Sequence, residues 1–273
     1  MSGLVVDCNT IGSASTASDQ SYVQACQRAA EGDSFYTFKR DRAYNEILEH
    51  VNDRLGDLYF HKIAEQYPWL LPRLSRCSIN DQIGNARIRA FGSYGEFSNN
   101  TMRYVCIAGD LSDRFGDLSP YRIVEFGGGY GGQCVILHTL FSPPSYVILD
   151  IQPAVSLTKR YLDACHISPC DVRSAFDTDA LKGDLFFSNH AFDEIEESYQ
   201  VLLAHSLLAH MPRGHIIGAY RHRPQLLAQL VGILRDAGHE VTVAAEIPQS
   251  AGQGSNVQIQ WIAKSERLAT AAS

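Results

Sequence analysis

Five glycines crowd between Gly127 and Gly132, interrupted only by Tyr130. They follow Ile123, Val124 and Phe126, which read as a short buried strand. They precede Cys134, Val135, Ile136 and Leu137, an apolar opening at helical spacing. A strand, a glycine turn and a helix in that order cradle a ligand against bare backbone, since glycine has no Cβ to hold it off. Gly127, Gly129 and Gly132 also satisfy GxGxxG, the dinucleotide fingerprint, so spacing alone leaves the ligand open. Glu125 narrows the choice. A carboxylate two residues before the first glycine sits badly beside a pyrophosphate and well beside an ammonium group.

S-adenosylmethionine (SAM) is a nucleoside with such an ammonium and no phosphate. The segment Tyr146-Val-Ile-Leu-Asp150 reads as the next parallel strand and ends in a carboxylate about 20 residues beyond the glycines, where such folds bind ribose hydroxyls. Asp150 suits a cis diol, with Ile151 beside it, and also suits the cap of a helix opening at Pro153. Asp171 to Phe176 is a weaker third strand. Phe176 and Asp177 at its end suit an adenine ring and its amino group, or an ordinary surface turn.

Leu185, Phe186 and Phe187 form another buried strand, and Ser188, Asn189 and His190 emerge at its carboxyl end. Ligands bind at that edge of an open parallel sheet, and histidine is the usual general base near neutral pH. Asp193 and Glu194 follow within a turn. They could orient the imidazole, contribute to a divalent metal site, or charge the start of a helix from Glu196 to His210. No metal site is assigned. His215 to Tyr220 is a fifth strand with Arg221 and His222 at its end, suited to a polar substrate or to a solvated loop.

The elements that must position these residues follow from the pattern around them. Residues 1–20 are rich in Ser, Thr, Ala and Gly and read as a flexible tail. Residues 20–30 suit a short helix. Apolar residues from Tyr44 to Tyr59 recur at helical steps, which predicts one amphipathic helix from Thr37 to about His61. Gly84 to Gly95 is turn-rich, and a helix through Val105 and Leu111 is expected with Asn99 or Asn100 as its cap. Residues 21–118 thus form a helical region suited to a lid or substrate wall, residues 119–264 the core, and 265–273 a tail. Val241–Glu246 and Val257–Ile262 are two strands on a short linker, hence antiparallel neighbours. The expected architecture is α/β, a doubly wound, mostly parallel seven-stranded sheet of Rossmann-like type with a helical N-terminal extension.

The net charge of −7 argues against a nucleic-acid partner. No apolar run approaches the length of a membrane span, and the N-terminus lacks the basic start of a secretory signal. The 7 cysteines are odd in number and scattered, and read as reduced thiols of a cytoplasmic protein. Whether the helical third packs on its own core or makes a homo-oligomer is left open by composition.

Ser98-Asn-Asn-Thr-Met-Arg-Tyr104, Arg122 to Gln133, Leu149-Asp-Ile-Gln-Pro-Ala-Val155 with Lys159-Arg-Tyr-Leu162, and Asp184 to Glu194 together resemble the class I SAM-dependent methyltransferases. Within them, the chain resembles the bacterial sugar O-methyltransferases. The resemblance implies that Glu125, Gly127 and Gly129 hold the methionine end of SAM and Asp150 its ribose, with Thr101 and Arg103 closing from the N-terminal side. That family carries tyrosine more often at position 190 and serine more often at position 193. The expected activity is methyl transfer to a hydroxyl of a sugar or sugar-containing natural product, with His190 as base and Asp193 or Glu194 orienting it. The competing readings are methyl transfer to nitrogen or to a peptide or polyketide hydroxyl, an NAD-dependent oxidoreductase, and a non-catalytic interaction module.

Overall fold

A computed structural model describes residues 20–48, 51–250 and 255–265. The expected tails at 1–20 and 265–273 fall almost wholly outside these residues. The sheet contains β3 (Arg122–Phe126), β4 (Ser145–Asp150), β5 (Cys170–Ser174), β6 (Leu185–Asn189), β7 (Arg213–Gly218), β8 (His239–Ala245) and β9 (Val257–Ala263). A separate hairpin joins β1 (Ile88–Ala90) to β2 (Glu96–Ser98). The order across the main sheet is β5-β4-β3-β6-β7-β9-β8. The strands from β5 to β7 pair in parallel, while β9 is antiparallel to both β7 and β8. Two antiparallel steps bring β8 back to the direction of β7, so its carboxyl end reaches the same rim.

Alternation along each strand divides the interior into two cores. Ile123, Ile148 and Phe187 face one, with α6 (Gly132–Phe141) and α7 (Gln152–Ala164) packed over them. Val124, Leu149 and Phe186 face the other, under α8 (Glu197–Ser206) and α9 (Pro224–Asp236). Residues one apart on a strand point to opposite faces, so near-continuous apolar runs are what a sheet covered on both sides requires.

The N-terminal region adds α1 (Gln20–Glu31), α2 (Arg42–Ile47), α3 (Asp53–Gln66), α4 (Leu74–Cys77) and α5 (Asn99–Phe115) to the first core. The single helix expected from 37 to 61 is two helices. The Asp41 side chain caps α2 through the amides of Ala43 and Tyr44, and Asn52 caps α3 through that of Leu55. Ser98, not Asn99 or Asn100, caps α5. It lies in extended backbone and accepts from the Thr101 amide, while Asn99 and Asn100 are already helical. Their amides donate to the α2–α3 connection, at Val51 O and Leu48 O. The six described cysteines are free thiols. No helix among the described residues is long and apolar enough to cross a membrane.

Candidate active site

The strand order reverses between β3 and β6, and an open parallel sheet leaves its crevice at that point. A cleft of about 420 Å³ lies there, within the range of small-ligand sites. Gly127, Gly129, Asp150, Asn189 and His190 line its sheet side, and Tyr22, Ile47 and Leu48 line its N-terminal side.

The glycine turn is shaped by close contacts. Gly127 has a φ of +79°, and a Cβ there would meet the Ala191 Cβ at 1.9 Å. Gly129 has a φ of +59° and lies beneath Leu48. Its amide donates to Asp150 Oδ2 at 2.7 Å, and the Ile151 amide donates to Asp150 Oδ1 at 2.7 Å. Asp150 therefore braces the turn as well as lining the cleft, and each oxygen keeps a lone pair for a further donor. Burial raises its carboxyl to about 6, against the pull of these two amides. Glu125 is more deeply set, below the turn rather than in the cleft lining. It accepts from the Tyr146 hydroxyl at 2.9 Å, and burial raises its carboxyl to about 8.

His190 ends β6 with a φ of +64°. A non-glycine residue in this region bears roughly 1–2 kcal/mol of strain, and such residues gather at functional sites. Its amide donates to Ile217 O at 2.9 Å. Its Nε2 lies 3.3 Å from Glu246 Oε1 and 3.1 Å from Ser250 Oγ. The partner of the imidazole is thus Glu246, not Asp193 or Glu194. Asp193 is committed elsewhere: its Oδ2 accepts from the Ala219 amide at 2.8 Å and from Arg223 at 3.4 Å. Glu194 lines the cleft. No group of three His, Cys, Asp or Glu side chains converges as metal ligands would among the described residues.

Thr101 is fully buried, bonded to Asp81, Asn80 and Ser98, and is not part of the cleft lining. Arg103 does line it, and makes no hydrogen bond or ion pair among the described residues. Phe176 packs on Tyr199 beyond the lining. Asp177 follows it, its amide bonded to Ser174 O, and is also outside the lining. Arg221 and His222 sit on an exposed turn outside the cleft.

The sequence reading missed Tyr22, Ile47 and Leu48 on the lid side, and Glu246, Ser250 and Asn256 at the β8–β9 connection. Glu246 could be read as a carboxylate ending a strand before a polar linker, but its arrival on the rim that carries His190 depends on the strand order of the sheet.

The reversal point, the parallel order and the antiparallel β9 inserted before the edge strand decide the architecture. It is the class I methyltransferase fold. No protein-family model matches the chain, and no curated protein sequence matches it. Solved structures similar to it include the methyltransferase domain of bacterial CtHen1, 9% identical over 59% of this chain and 97% of that one, with a TM-score of 0.47. Another is the glycopeptide N-methyltransferase MtfA in complex with SAM, 13% identical over 57% of this chain and 92% of that one, at 0.44. A third is NcsB1, an O-methyltransferase from neocarzinostatin biosynthesis, 17% identical over 60% of this chain and 57% of that one, at 0.40.

The cleft's chemistry can be tested against SAM directly. Asn189 Oδ1 and Asp193 Oδ1 are buried acceptors with no hydrogen-bond partner among the described residues, and both residues line the cleft. Orphaned acceptors call for a donor such as an ammonium. Arg103 offers a guanidinium for a carboxylate, and Asp150 offers lone pairs for a diol. The donor and acceptor set fits.

Proposed function

We propose that this chain is an enzyme that transfers the methyl group of SAM to a hydroxyl of a small polar acceptor, a sugar or sugar-containing molecule. The observation that carries the reading is the pairing, in one cleft, of a SAM-compatible polar set with a histidine held by a buried carboxylate. When bound, SAM supplies an activated methyl group on a sulfonium.

The chain's residues then have three tasks. Gly127, Gly129 and Asp150 seat the nucleoside, and Asn189 and Arg103 take the amino and carboxyl groups of the methionine tail. Alignment is the main contribution to such a displacement, because the methyl group is already activated. His190 receives the proton of the acceptor hydroxyl as the new bond forms. A nitrogen acceptor has its own lone pair and less need of a held base, so the His190–Glu246 contact favours oxygen.

Calorimetry with SAM and S-adenosylhomocysteine, with NAD as control, tests the reading. Binding of either sulfur ligand without NAD is the expected result. Binding of NAD alone would overturn it.

A further inference from the structure

Glu246 follows the end of β8, and its side chain is buried. Its Oε2 accepts from the Ser250 amide at 2.9 Å, the Ser250 hydroxyl at 2.8 Å and the Asn256 amide nitrogen at 2.8 Å. An oxygen taking three donors carries no proton, and Oε1 faces His190 Nε2. Burial opposes a charge on Glu246, but the contact with His190 and the bonds from Ser250 and Asn256 outweigh it and hold the carboxyl at about 2. The Ser250 hydroxyl spends its one proton on Glu246. Its oxygen accepts from Asn256 at 3.0 Å and faces Nε2 at 3.1 Å. Both atoms that face Nε2 are therefore acceptors, and only a protonated Nε2 satisfies them. His190 Nδ1 has no partner among the described residues, and the ring lines the cleft.

We infer that Glu246 is a positioning residue that fixes His190 as its Nε2–H tautomer, so that Nδ1 is the atom that takes the acceptor's proton. The inference rests on the methyl-transfer reading above. In the step, the acceptor O–H bond breaks and its proton passes to Nδ1. The oxygen bonds the methyl carbon, and the electron pair of the old carbon–sulfur bond stays on sulfur. The ring becomes an imidazolium, whose Nε2–H remains on the Glu246 carboxylate. Ser250 and Asn256 hold that carboxylate in place, so the charge develops beside an anion that need not move.

The test uses the full chain labelled with ¹⁵N-histidine. Long-range proton–nitrogen correlation spectra are recorded at a pH where the ring is neutral, with the His190 signal assigned by its loss in His190→Gln. The wild-type chain is expected to show His190 protonated at Nε2 and bare at Nδ1. Glu246→Gln is expected to lose that preference and give a mixture of tautomers, with SAM affinity unchanged, and Glu246→Asp to restore it in part. A wild-type ring protonated at Nδ1 overturns the inference. So does an unchanged tautomer in Glu246→Gln, or loss of SAM binding in that variant, which would place Glu246 in the cofactor site. The wild-type spectrum decides even where Glu246→Gln folds poorly. Failure of the methyl-transfer reading is seen separately, as absence of SAM binding to the wild-type chain.

Discussion

Glu125 and Asp150 are carboxyls that the fold makes reluctant to ionise. Both have folded values above their ordinary ones, about 8 against 4.5 and about 6 against 3.8. Each contributes stability that is full below its ordinary value and is lost as pH rises, through about 6 for Asp150 and about 8 for Glu125. A cationic ligand in the cleft favours the anion of Asp150, which lines it, while Glu125 lies below the turn. SAM binding should therefore release protons around pH 6, between about pH 5 and 7, and its affinity should rise with pH across that window. Calorimetry in two buffers of different ionisation heat measures the release, and proton uptake would contradict the placement of the cofactor. Residues at this scale were legible where chemistry sits at the end of a strand. Asp150 and His190, which line the cleft, could be singled out by position, whereas Glu125, expected at the ligand, lies below the turn. Glu246 could not be paired with His190, because only the order of strands in the sheet sets β8 on that rim.

At the scale of the element, the β3–α6 turn is fixed by what it cannot accommodate. Gly127→Ala places a methyl group on the Ala191 side chain in a backbone region unfavourable to alanine. A loss of about 1–3 kcal/mol is expected in thermal or denaturant unfolding, together with weakened SAM binding. A variant as stable as wild type, with SAM affinity intact, would mean that the turn can relax. The seven strands were readable from their apolar runs and from the turns between them. The β1–β2 hairpin was not, because strands of three residues carry too little alternation to separate from a glycine-rich loop. The break between α2 and α3 was hidden because apolar spacing continues through it. The decisive residue is the capping Asn52, whose role depends on the backbone turning there.

For the whole molecule, the N-terminal helices are fastened to the core from beneath. Arg160 on α7 donates to the carbonyls of Ala29, Ala30 and Gly32 at the end of α1, at 3.0, 3.2 and 2.8 Å. Lys39 reaches Asn80 O and the Tyr161 hydroxyl, and lies 4.3 Å from the centre of the Tyr130 ring. Hydrogen bonds from a charged donor contribute roughly 1.5–3 kcal/mol. Arg160→Ala should thus loosen α1 selectively. Hydrogen exchange over Gln20–Glu31 should quicken, and SAM should bind more weakly, while the sheet amides stay protected. Uniform loosening would show instead that α1 and the core unfold together. The sequence marked this region as helical without showing what it covers, since its apolar faces match a core of its own as well as they match the sheet.

Tyr22 on α1 and Leu48 after α2 close one wall of the cleft over the glycine turn. On the proposed reading, a nucleoside seated on the glycine turn lies behind this wall. Release of spent cofactor is then expected to depend on how readily a helix of 12 residues lifts from the Arg160 contacts that hold it. Arg160→Ala should accordingly quicken that release, an effect set far from any atom that reacts.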